Sequence, residues 1–310
     1  MPTMARPLTP VIRPVMPEPP RPPDAIAPHL AEIERYLDGC LDGRGLPDNL
    51  LEACRYAVLG GGKRLRPLLT LLACEAVGGD RARALPAAAA TELIHAFSLV
   101  HDDLPAMDND ELRRGMPTVW VKYGQAMAIL AGDALQSLAF ELLCDERYPA
   151  ALSGRLIREL SMATTRMIAG QVYDTLGGVP AGLSPRDHLE VIHRNKTGAL
   201  LGASCRIGGL CGGADGAALQ RISDFGEAVG LMFQIVDDVL DVTQPSEHLG
   251  KRSGKDIEAG KKTFPGVLGM DQSRQEIARL HIAARQAIEP FGHTGVLLAE
   301  VADYLAIRTK

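Results

Sequence analysis

From Ala25 onward, apolar and polar positions recur at helical spacing: Leu30, Ile33, Leu37 and Leu41 step round one face of a 3.6-residue turn. The same period predicts further helices near 47–59, 66–78, 84–104, 118–144, 151–176, 185–210, 215–243, 271–289 and 294–307, with glycine or proline between most of them. Ser184 before Pro185 is a start signal, an N-cap hydroxyl followed by a residue whose missing N–H costs nothing in the first turn. No stretch bounded by turn residues alternates with a period of two, so the expected class is all-α, one large helical bundle over 25–310. Residues 1–24 break the pattern. Met1 to Pro23 holds nine prolines and little periodicity, and is expected to be an extended, disordered tail.

Composition narrows the function classes. The chain has 310 residues, enough to bury a large core, and Lys+Arg 33 against Asp+Glu 38 gives a formal charge of -5. That balance makes no electrostatic case for nucleic acid. Six cysteines without a C-x-x-C pair lie mostly inside apolar helical patterns, which predicts buried thiols in a reducing compartment. No apolar run has the length of a membrane span, and a cytoplasmic protein is expected.

Charge is informative where it clusters. Leu93 to Gly115, LIHAFSLVHDDLPAMDNDELRRG, gathers Asp102, Asp103, Asp108, Asp110 and Glu111 at the end of an apolar segment, with Arg113 and Arg114 behind them. Carboxylates so close repel, and one takes up a proton unless a cation sits among them. Hard oxygen ligands suggest Mg²⁺, which one or two carboxylates share with substrate phosphates, and the arginines are natural partners for those phosphates. A solvated acidic turn would also carry such a run. The theme returns, however, at Phe233 to Asp241, FQIVDDVLD, roughly 130 residues on, with Asp237 and Asp241 one turn apart on a helix face and Asp238 between them. Two such clusters on apolar helices need partners of opposite charge.

Other polar insertions fit a diphosphate site. Gly60-Gly61-Gly62 leads into Lys63, Arg64 and Arg66, three cations beside a glycine hinge. It departs from a nucleotide-binding P-loop, which requires glycine where Ala57 stands and Ser or Thr where Arg64 stands. His95 lies two turns before Asp102 on nearly the same face, and His101 sits beside the aspartates. His193-Arg194-Asn195-Lys196-Thr197-Gly198 interrupts an apolar stretch, and a mid-helix Gly198 needs a packing reason. After the second cluster, 250–262 reads as a glycine-hinged basic loop able to close over a diphosphate.

Taken together, GGKRLRP at 61–67, HDDLPAMDNDELRRG at 101–115, HRNKTGAL at 193–200 and FQIVDDVLD with GKRSGKD and GKKTFP up to residue 265 resemble the trans-isoprenyl diphosphate synthases, most closely the bacterial farnesyl diphosphate synthases. The resemblance runs from about Ala25 to the C-terminus. It implies a helical bundle around an apolar cavity, a homodimer, and a condensation of isopentenyl diphosphate with dimethylallyl or geranyl diphosphate to (2E,6E)-farnesyl diphosphate. A geranylgeranyl product is the alternative, and a class I terpene cyclase or an inactive regulatory subunit fits the motifs less well.

By the same resemblance, Asp102, Asp103, Asp108, Asp237, Asp238 and Asp241 hold two or three Mg²⁺ ions. Lys63, Arg66, His95 and Arg114 bind isopentenyl diphosphate, while Arg113, Lys196, Thr197, Gln234, Lys251 and Lys261 bind the allylic partner. Gln171 and Asp174 join the cavity wall. Product length is assigned to Phe97, five residues before the first aspartate, with Ser98 beside it. On an ideal helix Phe97 lies about 7.5 Å below Asp102 but roughly 140° round from it, and Ser98 shares the Asp102 face more closely. Trp120 stands where the family usually has histidine, and Gln125 where glutamate is common, which questions local helix packing there.

Overall fold

The computed structural model describes residues 22–243 and 262–308. A short 3₁₀ turn, Asp24–Ile26, leads into α1 (Ala27–Gly39), α2 (Asp48–Leu59), α3 (Leu65–Ala76) and α4 (Arg81–Asp102). A two-stranded hairpin follows, β1 (Leu112–Arg113) antiparallel to β2 (Met116–Pro117), with Leu112 opposite Pro117 and Arg113 opposite Met116. Next come α5 (Val119–Tyr123), α6 (Gln125–Leu142), α7 (Ala150–Thr175), α8 (Pro185–His193), a π-turn Arg194–Gly198, α9 (Ala199–Cys211) and α10 (Gly216–Thr243). From residue 262 onward lie α11 (Phe264–Leu268), α12 (Met270–Ile288), a 3₁₀ turn Glu289–Gly295 and α13 (Val296–Ile307). The fold is all-α.

α3, α4, α9 and α10 form the interior: α4 packs on α6 and α3, α9 on α3 and α10, and α10 on α12. Leu69, Leu71, Leu72, Leu93, Ile94, Leu135 and Phe225 are fully buried there, each worth about 1.5–3 kcal/mol in removed apolar surface. Both acidic clusters are carried by these interior helices, at the C-terminal end of α4 and near the end of α10.

Four local features depart from the periodicity. The span 118–144 is two helices, because Gly124 adopts φ 87°, a left-handed value that breaks α5 from α6. The span 185–210 is interrupted by the π-turn at Arg194–Gly198, and α11 was not expected at all. α4 begins before Pro86 and continues through it. Proline removes one ladder donor, and the Tyr148 hydroxyl enters the gap, donating to the Arg83 carbonyl at 2.7 Å and accepting from Ala87 N at 3.2 Å. Among the cysteines, Cys40, Cys54, Cys74, Cys205 and Cys211 are buried thiols while Cys144 is exposed. The proline-rich segment up to residue 21 and the basic loop at 250–261 lie outside the described residues.

Candidate active site

α4 ends at Asp102, where the last helical carbonyls already present a partial negative charge. The chain then curls back, with Asp108 N donating to the Asp102 carbonyl at 2.9 Å, so the Asp102 and Asp108 carboxylates belong to one small turn. Burial pushes the Asp102 carboxyl up to about 6; the Lys196 ammonium pulls it back and Asp108 pushes it further. Asp103 points elsewhere. It is buried and accepts from Arg113 Nε through both oxygens at 2.9 Å and from the terminal nitrogen at 2.5 Å. Trp120 explains its own presence: its indole N–H, together with the Thr118 hydroxyl, donates to the Asp110 carbonyl at 2.9 Å and ties the acidic turn to α5. Gln125 is exposed at the start of α6.

Facing this turn is the loop into α3. Arg64 takes a left-handed conformation at φ 49° and turns inward onto carboxylates of the fold itself. It binds Glu92 at 2.8 Å, Glu34 at 2.7 Å and the Val58 carbonyl at 2.8 Å, and both Arg64 and Glu92 side chains are nearly fully buried. Of the three cations in the motif, one is therefore an anchor, leaving Lys63 exposed at the turn and Arg66 half-buried beyond it. Burial lowers the Arg66 guanidinium to about 10, offset by Glu92 and Asp237, and its Nε is buried without a hydrogen-bond partner among the described residues. His95 is held well below its ordinary value by burial and by Arg66, Arg114 and Arg113, and so stays neutral. Arg114 donates to the Gly61 carbonyl, closing the hairpin onto the glycine loop.

The π-turn supplies a third wall. One extra residue in the turn bulges Lys196 and Thr197 out of the helix line. Lys196 Nζ donates to Asp174 at 2.6 Å and Thr197 Oγ1 to Gln234 Oε1 at 2.8 Å. Close backbone approach makes this possible. A Cβ at Gly170 would overlap the Lys196 backbone and one at Gly230 would stand 2.9 Å from Gly198 Cα, so Gly170 and Gly230 are the positions that must stay small; a Cβ on Gly198 itself would meet nothing closer than the His193 carbonyl at 3.4 Å. Next to Asp174, the Gln171 amide is buried with neither end hydrogen-bonded among the described residues.

On α10, Asp238 is buried and accepts from Phe264 N at 2.9 Å, with His193 Nε2 at 3.1 Å. It fastens α11 and α8 to α10. Asp241 is buried one turn on. Asp237 is paired with a residue the motifs did not flag: Arg308, just beyond α13, donates to Asp237 Oδ1 at 2.6 Å and to the Phe233 carbonyl at 3.1 Å, and stacks 4.2 Å over the Phe233 ring. No local pattern marks that arginine, 71 residues from its partner.

The walls are one electrostatic neighbourhood: Lys196 acts on Asp102, Asp237 on Arg66, and Arg66 on His95. Phe97 is buried on the α4 side that meets α6, against the His101 ring, while the Ser98 hydroxyl bonds back to the His95 carbonyl at 2.9 Å. Lys251 and Lys261 fall outside the described residues. Among the described residues no group of three or more His, Cys, Asp or Glu side chains is gathered to hold a metal alone. Asp102 and Asp108 nevertheless suit an ion shared with phosphate oxygens: two close carboxylates, one of them driven toward protonation, with cations opposite.

A family model described as polyprenyl synthetase matches residues 47–290. The chain is 45% identical over 284 residues to the heterodimeric geranylgeranyl pyrophosphate synthase large subunit 1, chloroplastic, of Arabidopsis thaliana, covering 89% of this chain and 76% of that one. In structure it is similar to a geranylgeranyl pyrophosphate synthetase from Pyrococcus horikoshii Ot3 (TM-score 0.82, 33% identity, 92% and 97% of the two chains covered). It is also similar to an FPP/GFPP synthase from Zymomonas mobilis (TM-score 0.77, 36% identity, 89% and 95%).

Proposed function

The chain belongs to the polyprenyl synthetase family and is a prenyltransferase, and from that premise we propose that it condenses isopentenyl diphosphate with allylic diphosphates to release geranylgeranyl diphosphate. The observation that carries the reaction is the pairing of unrelieved charges: among the described residues Asp102 and Asp108 make no direct ion pair, with Lys196 and Arg113 acting on Asp102 only at longer range, while Arg66 holds a buried donor with no acceptor.

Magnesium bound by Asp102, Asp108, Asp237 and Asp241 would supply Lewis acidity and neutralise the leaving group. Lys196 and Arg113 hold the allylic diphosphate in place as its C1–O bond breaks and the oxygen keeps the electron pair. Thr197 and Gln234 fix the neighbouring edge of that site. Arg66, Arg114, Lys63 and neutral His95 orient isopentenyl diphosphate so that its terminal double bond attacks the allylic C1. The C2 proton then leaves to the departing diphosphate, since no proposed site residue is positioned as a base. Asp103 and Asp238 act by holding Arg113 and His193 rather than by direct contact with the ion.

Two findings support a C20 end product. A relative at 45% identity is named a geranylgeranyl pyrophosphate synthase subunit, and Ser98, the small residue nearest the Asp102 face, puts little bulk on the path a chain would take below it. A C15 product is the second reading, favoured by the bulk of Phe97 beside that path. Incubation with isopentenyl and dimethylallyl diphosphates and Mg²⁺, followed by sizing of the products, decides between them. A C20 majority is expected; C15 alone contradicts the length assignment, and no prenyl product contradicts the reaction.

A homodimer is proposed through α6 and α7, where Ile129, Leu130, Met162, Ile168 and Val172 are exposed. Among the described residues no helix is long and apolar enough to cross a membrane. A cytoplasmic location rests on the buried thiols.

A further inference from the structure

His101 adjoins the metal-binding turn, yet its side chain faces the other way, into the crossing of α4 with α6. Its Nε2 lies 3.0 Å from the Ile129 carbonyl, which makes Nε2 the protonated nitrogen, and 4.0 Å from Asp133 Oδ1. The ring occupies a socket that exists because residue 132 is glycine: a Cβ there would overlap Nε2 and Cδ2 of His101. On its other side the imidazole meets the Phe97 ring edge to face, centroids 5.2 Å apart at 81°. Phe97 is 7% exposed and His101 is its i+4 neighbour on α4.

We propose that His101, seated in the Gly132 socket, is a positioning residue for product length: it stops the Phe97 ring from retreating toward α6 when a growing prenyl chain presses on it. The inference rests on Phe97 being a wall of the tail cavity. An aromatic side chain on a helix has few rotamers, and a packed wall yields only if space opens behind it. Here the space behind is filled by a ring that α6 holds twice, by a hydrogen bond to the Ile129 carbonyl and by the shape of the Gly132 socket. Taking the imidazole away leaves a void that Phe97 can enter, so the stop recedes although Phe97 itself is unchanged. Adding a methyl at residue 132 pushes the imidazole from α6 toward Phe97, so the stop advances.

The test is the product-length distribution of the full-length protein with isopentenyl and dimethylallyl diphosphates and Mg²⁺. His101→Ala is expected to raise the ratio of longer to native-length product at least ~5-fold, and Gly132→Ala to shift it the other way. His101→Phe, which refills the socket with a ring, returns the native distribution despite losing the Ile129 bond. Phe97→Ala lengthens the product, and Phe97→Ala with His101→Ala lengthens it no further, because one acts through the other. A purely structural histidine would lower yield in all its variants without moving the ratio. If Phe97→Ala shifts the ratio and His101→Ala and Gly132→Ala do not, the buttress is refuted while the wall stands. If Phe97→Ala leaves the length unchanged, the wall reading fails and the buttress with it.

Discussion

The two acidic clusters share a sequence theme but not an electrostatic state. At the end of α4, Asp103 is bound to Arg113 while Asp102 and Asp108 crowd each other at a helix C-terminus, where the helix dipole adds to their repulsion. Near the end of α10, Asp238 is tied to His193 and Phe264, and Asp237 already has a guanidinium, that of Arg308. In each cluster the second aspartate of the pair is committed to holding the fold. What differs is the leading aspartate: among the described residues Asp102 makes no direct ion pair, whereas Asp237 is bound to Arg308. Similar motifs therefore do different physical work, and the α4 turn is the stronger attractor for an added cation.

The largest effects should come from removing the outward-facing carboxylates. Asp102→Ala and Asp237→Ala are each expected to lower turnover at least ~10²-fold, since each removes charge neutralisation at the leaving diphosphate. Steady-state assays check this, and near-native turnover in either would make that cluster structural.

A smaller effect separates the committed pairs. Arg113→Ala strands the buried Asp103 carboxylate and should cost about 3 kcal/mol of stability. Arg308→Ala leaves Asp237, whose side chain is 39% exposed, able to recruit water and should cost about 1 kcal/mol. Denaturant unfolding of both variants checks the order; equal losses would erase the contrast between the clusters.

Much of this was legible in the residues. Helical periodicity marked most helices, and the motif spacing marked Asp102, Asp108, Asp237, Lys196 and Thr197, because local chemistry is written in adjacent positions. What stayed hidden depends on distant partners or on backbone detail. Arg64 reads like Lys63 and Arg66 until its left-handed φ turns it onto Glu92. The Tyr148 hydroxyl that repairs α4 at Pro86 lies 61 residues from Ala87, the amide it accepts from. Gly132 resembles any small residue on α6 until the His101 ring is seen in its socket. Arg308 follows the last turn of α13 with no motif around it. The π-turn needed one more residue than an α-helical period allows, so periodicity ran straight through it.

The most direct test of a single diphosphate gripped from both sides is calorimetric titration of inorganic pyrophosphate into the full-length protein with Mg²⁺ present, repeated with Asp102→Ala and with Asp237→Ala. Magnesium-dependent binding that either substitution weakens at least ~10-fold is the predicted result. Binding that ignores magnesium, or that survives both substitutions unchanged, would contradict it.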